Sequence, residues 1–270
     1  MSHAKIILHK KMLSDRLKQL VMDVGTTILN IYHREDLGIQ VKHDQSPVTA
    51  ADLAAHQMLV QGLTCLTPQW PIVSEEDQHS QALASNYPIY WLIDPLDGTQ
   101  QFIRRNGDFT VNVALIEQGS PSLGLVGIPI QAKLYWGGTG LGSYRTTAIT
   151  AVPDRLKAVT ARNPARVLAS KSHLNQATQQ FIQNLGETTL LQVGSSIKFL
   201  TIAEGDADWY PRLAPTCEWD TAAAQAVLEG AGGCVTQLNG KPLQYGKVDM
   251  LNPHFVARGK VNIKSNLNIP

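Results

Sequence analysis

Apolar residues follow two different rhythms along this chain. Across residues 14–36, Leu17, Leu20, Val21, Val24, Ile28 and Ile31 recur at spacings of three and four. That period predicts an amphipathic helix, with Ser14 or Asp15 as its N-cap. A polar stretch, VKHDQSPVTAAD, comes next. In it Thr49 precedes Asp52 by three residues, the spacing of a capping box, and predicts a second helix to about Leu63. Pro68 and Pro71 break that helix.

The rhythm then shortens. PIVSEED reads as a short strand running into three acids, and IYWLID at 89–94 as a buried strand. FTVNVALIEQG, GLVGIPI and KLYW are divided by glycines and turn residues, which predicts hairpin-like connections. From Arg166 onward strand and helix alternate. A strand at 166–169 leads to a polar helix at 173–185, a strand near 189–193 and a helix at about 195–204. ADWYPRL then forms a strand, and TAAAQAVLEGAGG an Ala-rich helix closed by glycines. An α+β half is thus followed by an α/β half. A change of composition across 153–165 suggests an N-terminal domain, 1–158, and a C-terminal domain, 159–270.

Composition adds mainly exclusions. With 270 residues, 43% hydrophobic and 17% charged, the chain is an ordinary globular protein with enough length for a real core. A net charge of +1 gives no support to a nucleic-acid-coating role. Cys65, Cys217 and Cys234 are few and far apart, so neither a zinc site nor a disulfide framework is indicated, and a reducing, cytoplasmic setting fits. The apolar run near the start, IIL, is too short for a signal or a membrane span. GGTGLGS at 137–143 lacks the G-x-G-x-x-G spacing and reads as a hairpin loop. The five tryptophans show no repeat and read as core or pocket walls.

The chemistry lies where strands end. WLIDPLDGT brings Asp94 and Asp97 to the end of a strand, with Pro95 setting a bend and Gly98 permitting a close turn. Two such carboxylates, with the Leu96 carbonyl, suit a hard cation such as Mg²⁺. The N–H groups of Gly98 and Thr99 would face a phosphate. Taken alone the string equally describes a capped turn. Glu75-Glu76-Asp77 also follows a short apolar strand, and two neighbouring strands ending in acids would build a shared site; alone, the run also reads as a solvated turn. Asp220, in EWDTAA, sits where a helix begins and reads as a ligand or as an N-cap, and Asp52 is open to the same two readings.

Together these strings resemble the inositol monophosphatase superfamily of magnesium-dependent, lithium-sensitive phosphatases. VTAAD, SEED, DPLDGT and WDTAA run in that family's order. DQSPVTAAD, WLIDPLDGT, SKSH at 170–173 and GSSIKF through YPR to WDTAA are most similar to its bacterial 3′(2′),5′-bisphosphate nucleotidases. The resemblance covers nearly the whole chain from about residue 14. It implies a layered αβαβα sugar-phosphatase fold. It implies two or three Mg²⁺ ions on Glu75, Asp94, the Leu96 carbonyl, Asp97 and Asp220. Gly98 and Thr99 would hold the scissile phosphate, with the Thr99 hydroxyl helping to place the attacking water; Asp52 and Glu76 would stand behind the ligands, Asp52 helping to activate that water. Adenosine 3′,5′-bisphosphate would be hydrolysed to AMP and phosphate by in-line attack of a metal-activated water, in sulfate assimilation. Its second phosphate would meet His173, Ser195, Ser196, Lys198 and Arg212, a set of cations, hydroxyls and helix-opening N–H groups. The expected partner is this nucleotide and no nucleic acid polymer, with work in the cytoplasm; whether the protein also sits peripherally on the inner membrane is left open by the sequence. The alternatives are an inositol monophosphatase or other sugar phosphatase on the same fold, and a non-catalytic regulator binding metal and nucleotide. One departure stands out: relatives commonly follow DGT with Lys-Glu, and here the pair is Gln100-Gln101. That bears on substrate preference or on one metal rather than on the ligand set.

Overall fold

A computed structural model describes residues 3–42, 44–170 and 175–260. Helix α1 runs from His3 to Tyr32. The expected N-caps Ser14 and Asp15 therefore lie inside it, since no glycine or proline interrupts residues 3–13, and the helix stops four residues short of the expected end. After a small hairpin of β1 (Gln40–Val41) and β2 (Pro47–Val48), helix α2 spans Ala50–Leu66. Thr49 caps it with the expected box: its hydroxyl accepts from Ala51 N, and the Asp52 carboxylate accepts from Thr49 N at 2.7 Å.

A seven-stranded sheet comes next: β3 (Ile72–Ser74), β4 (Ile89–Asp97), β5 (Thr110–Glu117), β6 (Ser120–Ile128), β7 (Lys133–Gly138), β8 (Gly142–Thr146) and β9 (Asp154–Arg155). These strands lie in chain order. Only β3 and β4 are parallel; the others form the expected antiparallel run, with GGTGLGS as the tight loop joining Gly138 to Gly142. Two short helices interrupt it, α3 (Gln78–Gln81) and α4 (Thr99–Ile103).

The second half supplies a five-stranded sheet from β10 (Ala165–Ala169), β11 (Thr188–Gln192), β12 (Trp209–Arg212), β13 (Cys234–Gln237) and β14 (Phe255–Arg258). Its order is β11-β10-β12-β14-β13, parallel across the first three and antiparallel at the other edge. Helices α5 (Gln176–Asn184), α6 (Ile197–Ala203) and α7 (Ala222–Gly230) complete it.

Strand β4 shows how the layers stack. Trp91 and Ile93 pack with Leu17, Val24 and Leu59 of α1 and α2. Tyr90 and Leu92 point the other way and pack with Phe199, Val227 and Leu228 of α6 and α7. The same inner layer meets Leu168, Tyr210 and Phe255 of the five-stranded sheet. Phe181 of α5 closes the far face against Val256. The result is the expected αβαβα order. It explains why IYWLID is apolar throughout rather than alternating: both faces of the sheet are covered. Alanines 222–224 of α7 let that helix approach β6 closely; a Cβ on Gly124 would lie 2.0 Å from the Ala223 carbonyl oxygen.

Candidate active site

Register brings the acids together. Ser74 pairs with Ile93 in the parallel β3–β4 ladder, and Glu75 N donates to the Ile93 carbonyl at 3.2 Å, so Glu75 emerges beside Asp94. Across β5, Asp94 pairs with Asn112 and Asp97 with Thr110. Three steps on β4 thus oppose two on β5. Residues three apart on a regular strand face opposite ways; the bulge at Pro95-Leu96 turns Asp97 to the same side as Asp94.

Carboxylate oxygens of Glu75, Asp94 and Asp220 all lie within 4.8 Å of one another. Asp94 is fully buried, and its Oδ2 has no hydrogen-bond partner among the described residues, while Oδ1 accepts from Leu96 N at 3.1 Å. Burial, then the charges of Glu75, Asp97 and Asp220, hold the Asp94 carboxyl well above its ordinary range. Burial, then Asp97 and Glu75, push Asp220 up to about 8. Burial raises Glu75 as well, against the opposing charge of Lys42. An all-oxygen cluster built around a buried carboxylate, with its two neighbours half-buried, is a site that a hard divalent cation fits. Asp220 is not the N-cap of α7, a position Thr221 occupies; its Oδ2 instead accepts from Cys217 N at 2.8 Å.

Asp97 stands differently from the other three. Its Oδ2 accepts from the Ser195 hydroxyl and from Ser196 N, both at 2.6 Å, joining the end of β4 to the loop before α6. Ser195 holds a left-handed backbone, φ 52°, in doing so. Gly194 N donates to the Asp108 carboxylate at 3.0 Å. Two of the N–H groups before α6, those of Gly194 and Ser196, are therefore taken by carboxylates of the protein itself.

The Thr99 hydroxyl reaches Asp52 Oδ1 at 2.9 Å and the Leu96 carbonyl at 3.3 Å. Asp52 is buried, which raises its carboxyl, while bonds from Thr49 and Thr99 pull the other way. Gly98 has φ 97°, and a Cβ there would lie 2.8 Å from the Asp108 carbonyl oxygen, so the turn requires glycine.

A cleft adjoins the acids, lined by Asp97, Gly98, Gln101, Ser195, Lys198, Arg212 and Asp220. The Lys198 ammonium donates to the Ser195 carbonyl at 2.6 Å and lies over the Tyr210 ring. Burial lowers it to about 8, with Asp97 opposing. Arg212 donates to the Pro215 carbonyl, while its Nε is buried with no partner among the described residues. Ser170 lines the same cleft, whereas His173, expected there, lies outside the described residues. Gln101 faces the cleft and Gln100 is exposed.

Lys42 belongs to the site and has no signature in the sequence. Its ammonium lies 3.1 Å from the Glu75 carboxylate and 2.8 Å from that of Glu76. Burial of Lys42 opposes its charge, but the two carboxylates overcome this and raise its pKa. Burial raises Glu76 to about 7. The third acid of the run, Asp77, is the N-cap of α3 and takes the N–H groups of His79 and Ser80.

The layered fold and an all-oxygen acid cluster suited to a metal ion, beside a cleft carrying Lys198 and Arg212, fit the class of phosphatases that work with metal. Comparison with known proteins narrows the class. The profile of the inositol monophosphatase family matches residues 11–265, and the chain belongs to that family. It is 42% identical over 243 residues to the 3′(2′),5′-bisphosphate nucleotidase CysQ of Escherichia coli (strain K12), covering 89% of this chain and 97% of the relative. The CysQ of Buchnera aphidicola is 36% identical over 259 residues, covering 92% and 94%. Among solved structures, CysQ from Bacteroides thetaiotaomicron superposes with a TM-score of 0.79 at 34% identity, covering 94% of this chain and 98% of that one. Among the described residues, no helix is long and apolar enough to cross a membrane.

Proposed function

We propose that this chain is a Mg²⁺-dependent 3′(2′),5′-bisphosphate nucleotidase that converts adenosine 3′,5′-bisphosphate to AMP and phosphate. The observation that carries the reading is a pair of opposite needs in one place. Among the described residues, Asp94 Oδ2 is a buried acceptor without a donor, and Arg212 Nε, lining the adjoining cleft, is a buried donor without an acceptor. A cation bound by the first and an anion bound by the second relieve both. The names of the curated relatives supply the substrate class, a nucleoside 3′(2′),5′-bisphosphate.

Glu75, Asp94 and Asp220 would hold the metal, with Asp97 and the Leu96 carbonyl joining as the Ser195 and Ser196 bonds yield. Bound there, two or three Mg²⁺ ions would neutralise the carboxylates, acidify water and stabilise the leaving ribose oxygen. The protein's own part is proton handling and placement. The Thr99 hydroxyl donates to Asp52 Oδ1 and leaves its lone pairs to take a hydrogen bond from the attacking water. The scissile phosphate sits over Gly98 and Thr99. Arg212 and Lys198, with the Ser195 and Ser196 hydroxyls and His173, receive the other phosphate. The division into 1–158, carrying most ligands, and 159–270, carrying Asp220 and the cations, belongs to this proposal, as does work in the cytoplasm in sulfate assimilation. Contact with the inner membrane is no part of it.

The test is phosphate release from adenosine 3′,5′-bisphosphate and from inositol 1-phosphate in parallel, with Mg²⁺ and with Mg²⁺ plus Li⁺. Fast, lithium-sensitive release from the nucleotide alone is the expected result. Release from inositol phosphate alone would overturn the assignment of Arg212 and Lys198. Release from neither would overturn the enzyme.

A further inference from the structure

His56 plays no part in the scheme above, yet it sits directly behind it. It lies on α2 one turn after Asp52, half-buried, facing the end of β3. Its Nδ1 is 2.9 Å from the Ser74 hydroxyl oxygen. Ser74 is buried, and that same oxygen accepts from Glu76 N at 3.2 Å, while Ser74 N donates to the Ser80 hydroxyl. Ser74 therefore stands at the root of the turn that aims Glu75 and Glu76.

The donors and acceptors can be counted. The Ser74 oxygen already accepts one bond, from Glu76 N. Its own hydrogen needs an acceptor, and among the described residues His56 Nδ1 is the one within reach. That arrangement requires a neutral imidazole carrying its hydrogen on Nε2. The ring's setting agrees: burial lowers the His56 pKa below its ordinary value, against the opposing charge of Asp77. A protonated Nδ1 would reverse the bond and leave the serine hydrogen without a partner in a dry place.

We infer that His56 is a positioning residue for the metal site: through Ser74 it fixes the Glu75-Glu76 turn, and so sets the affinity for divalent cations. The inference rests on the metal-dependent reading of the acid cluster. It concerns a chain of bonds from α2 to β3 in which His56 touches neither metal nor substrate. Histidine suits the post because Nδ1 is an acceptor held at a fixed reach by a rigid ring, where a shorter or apolar side chain would leave the serine free to rotate.

The test is calorimetric titration of the purified full chain with Mg²⁺, after chelation and dialysis, with melting temperature recorded alongside. His56→Leu should weaken Mg²⁺ binding roughly tenfold, the scale found for partners of metal ligands. His56→Asn, whose Oδ1 falls near the place of Nδ1, should stay within about threefold of the unaltered chain. Ser74→Ala should weaken binding at least as much as His56→Leu, because it also removes the acceptor of Glu76 N, and the double variant should be no worse than Ser74→Ala, because the His56 bond acts only through that hydroxyl. A merely structural role would instead lower the melting temperature of the chelated protein and leave Mg²⁺ affinity alone. Should His56→Leu fail to fold, Ser74→Ala and His56→Asn carry the comparison. Mg²⁺ affinity unchanged in Ser74→Ala, or as weak in His56→Asn as in Ser74→Ala, overturns the inference while leaving the metal site standing. An unaltered chain that binds no divalent cation overturns the metal reading and this inference with it.

Discussion

Asp220→Asn offers a sharp test of the idea that the acid cluster is built for a cation. Without metal, burial and then the charges of Asp97 and Glu75 raise Asp220 from 3.8 to about 8. The sign of the effect on stability follows from that direction. Below about pH 4 the carboxyl is protonated in both folded and unfolded chains, and the stability it confers is fully present. As pH rises toward about 8, the unfolded chain releases the proton and the folded chain retains it, so stability falls by ~1.4 kcal/mol per pH unit. Over the whole window the ceiling is ~6 kcal/mol. Asp220 is only partly sealed from solvent, and Glu75 and Asp94 take up protons too, so roughly a third of the ceiling, ~2 kcal/mol, is the working figure.

Asparagine has no proton to retain. In chelator, Asp220→Asn should therefore melt above the unaltered chain by ~4–8 °C near pH 8, and the gap should close toward pH 4. With Mg²⁺ the order should invert. The unaltered chain gains stability that grows with pH, because the ligands must shed protons to bind, while the variant gains little. Phosphatase activity should be lost in the variant throughout. The assay is a set of thermal melts across about pH 4–8.5, each with chelator and with Mg²⁺. A chelated variant that melts at or below the unaltered chain near pH 8 would refute the argument from charge crowding.

Other outcomes follow from the same geometry. Arg212→Met should raise KM for adenosine 3′,5′-bisphosphate by roughly thirtyfold, with kcat little changed and inositol phosphate handling unaltered, as measured by steady-state kinetics. Burial holds Lys198 near 8, so kcat/KM for the bisphosphate should fall as pH rises through about 8 and the ammonium loses its charge; Lys198→Arg should remove that limb. Thr99→Ala should lower kcat by about a hundredfold while leaving Mg²⁺ affinity, read by calorimetry, close to that of the unaltered chain. Gly124→Ala places a methyl group 2.0 Å from the Ala223 carbonyl oxygen, prising α7 from β6. It should cost at least ~2 kcal/mol in chemical denaturation.

Which parts of this were legible in the sequence depends on what carries the signal. Burial is periodic, so the helix around Leu17–Ile31 and the strand IYWLID announce themselves. The inward acids Glu75 and Asp94 are legible because each ends an apolar strand, and parallel pairing of β3 with β4 then sets them side by side. Directional polar contacts carry no period. Lys42 reaches Glu75 and Glu76 from 33 and 34 residues away, and Ser195 reaches Asp97 across 98, so no local pattern predicts either. The cap of α7 shows the same limit at short range: Asp220 and Thr221 are both ordinary capping residues, and only the bond to Cys217 N decides between them. What reconciles the two kinds of signal is the bulge at Pro95-Leu96. There the strand's own rule of alternating faces fails, and the failure turns Asp97 toward Asp94. A strand obeying its period through residue 97 would keep better pairing and lose the site. The local irregularity in WLIDPLDGT is thus the price of function, held in place by a core regular enough to tolerate it.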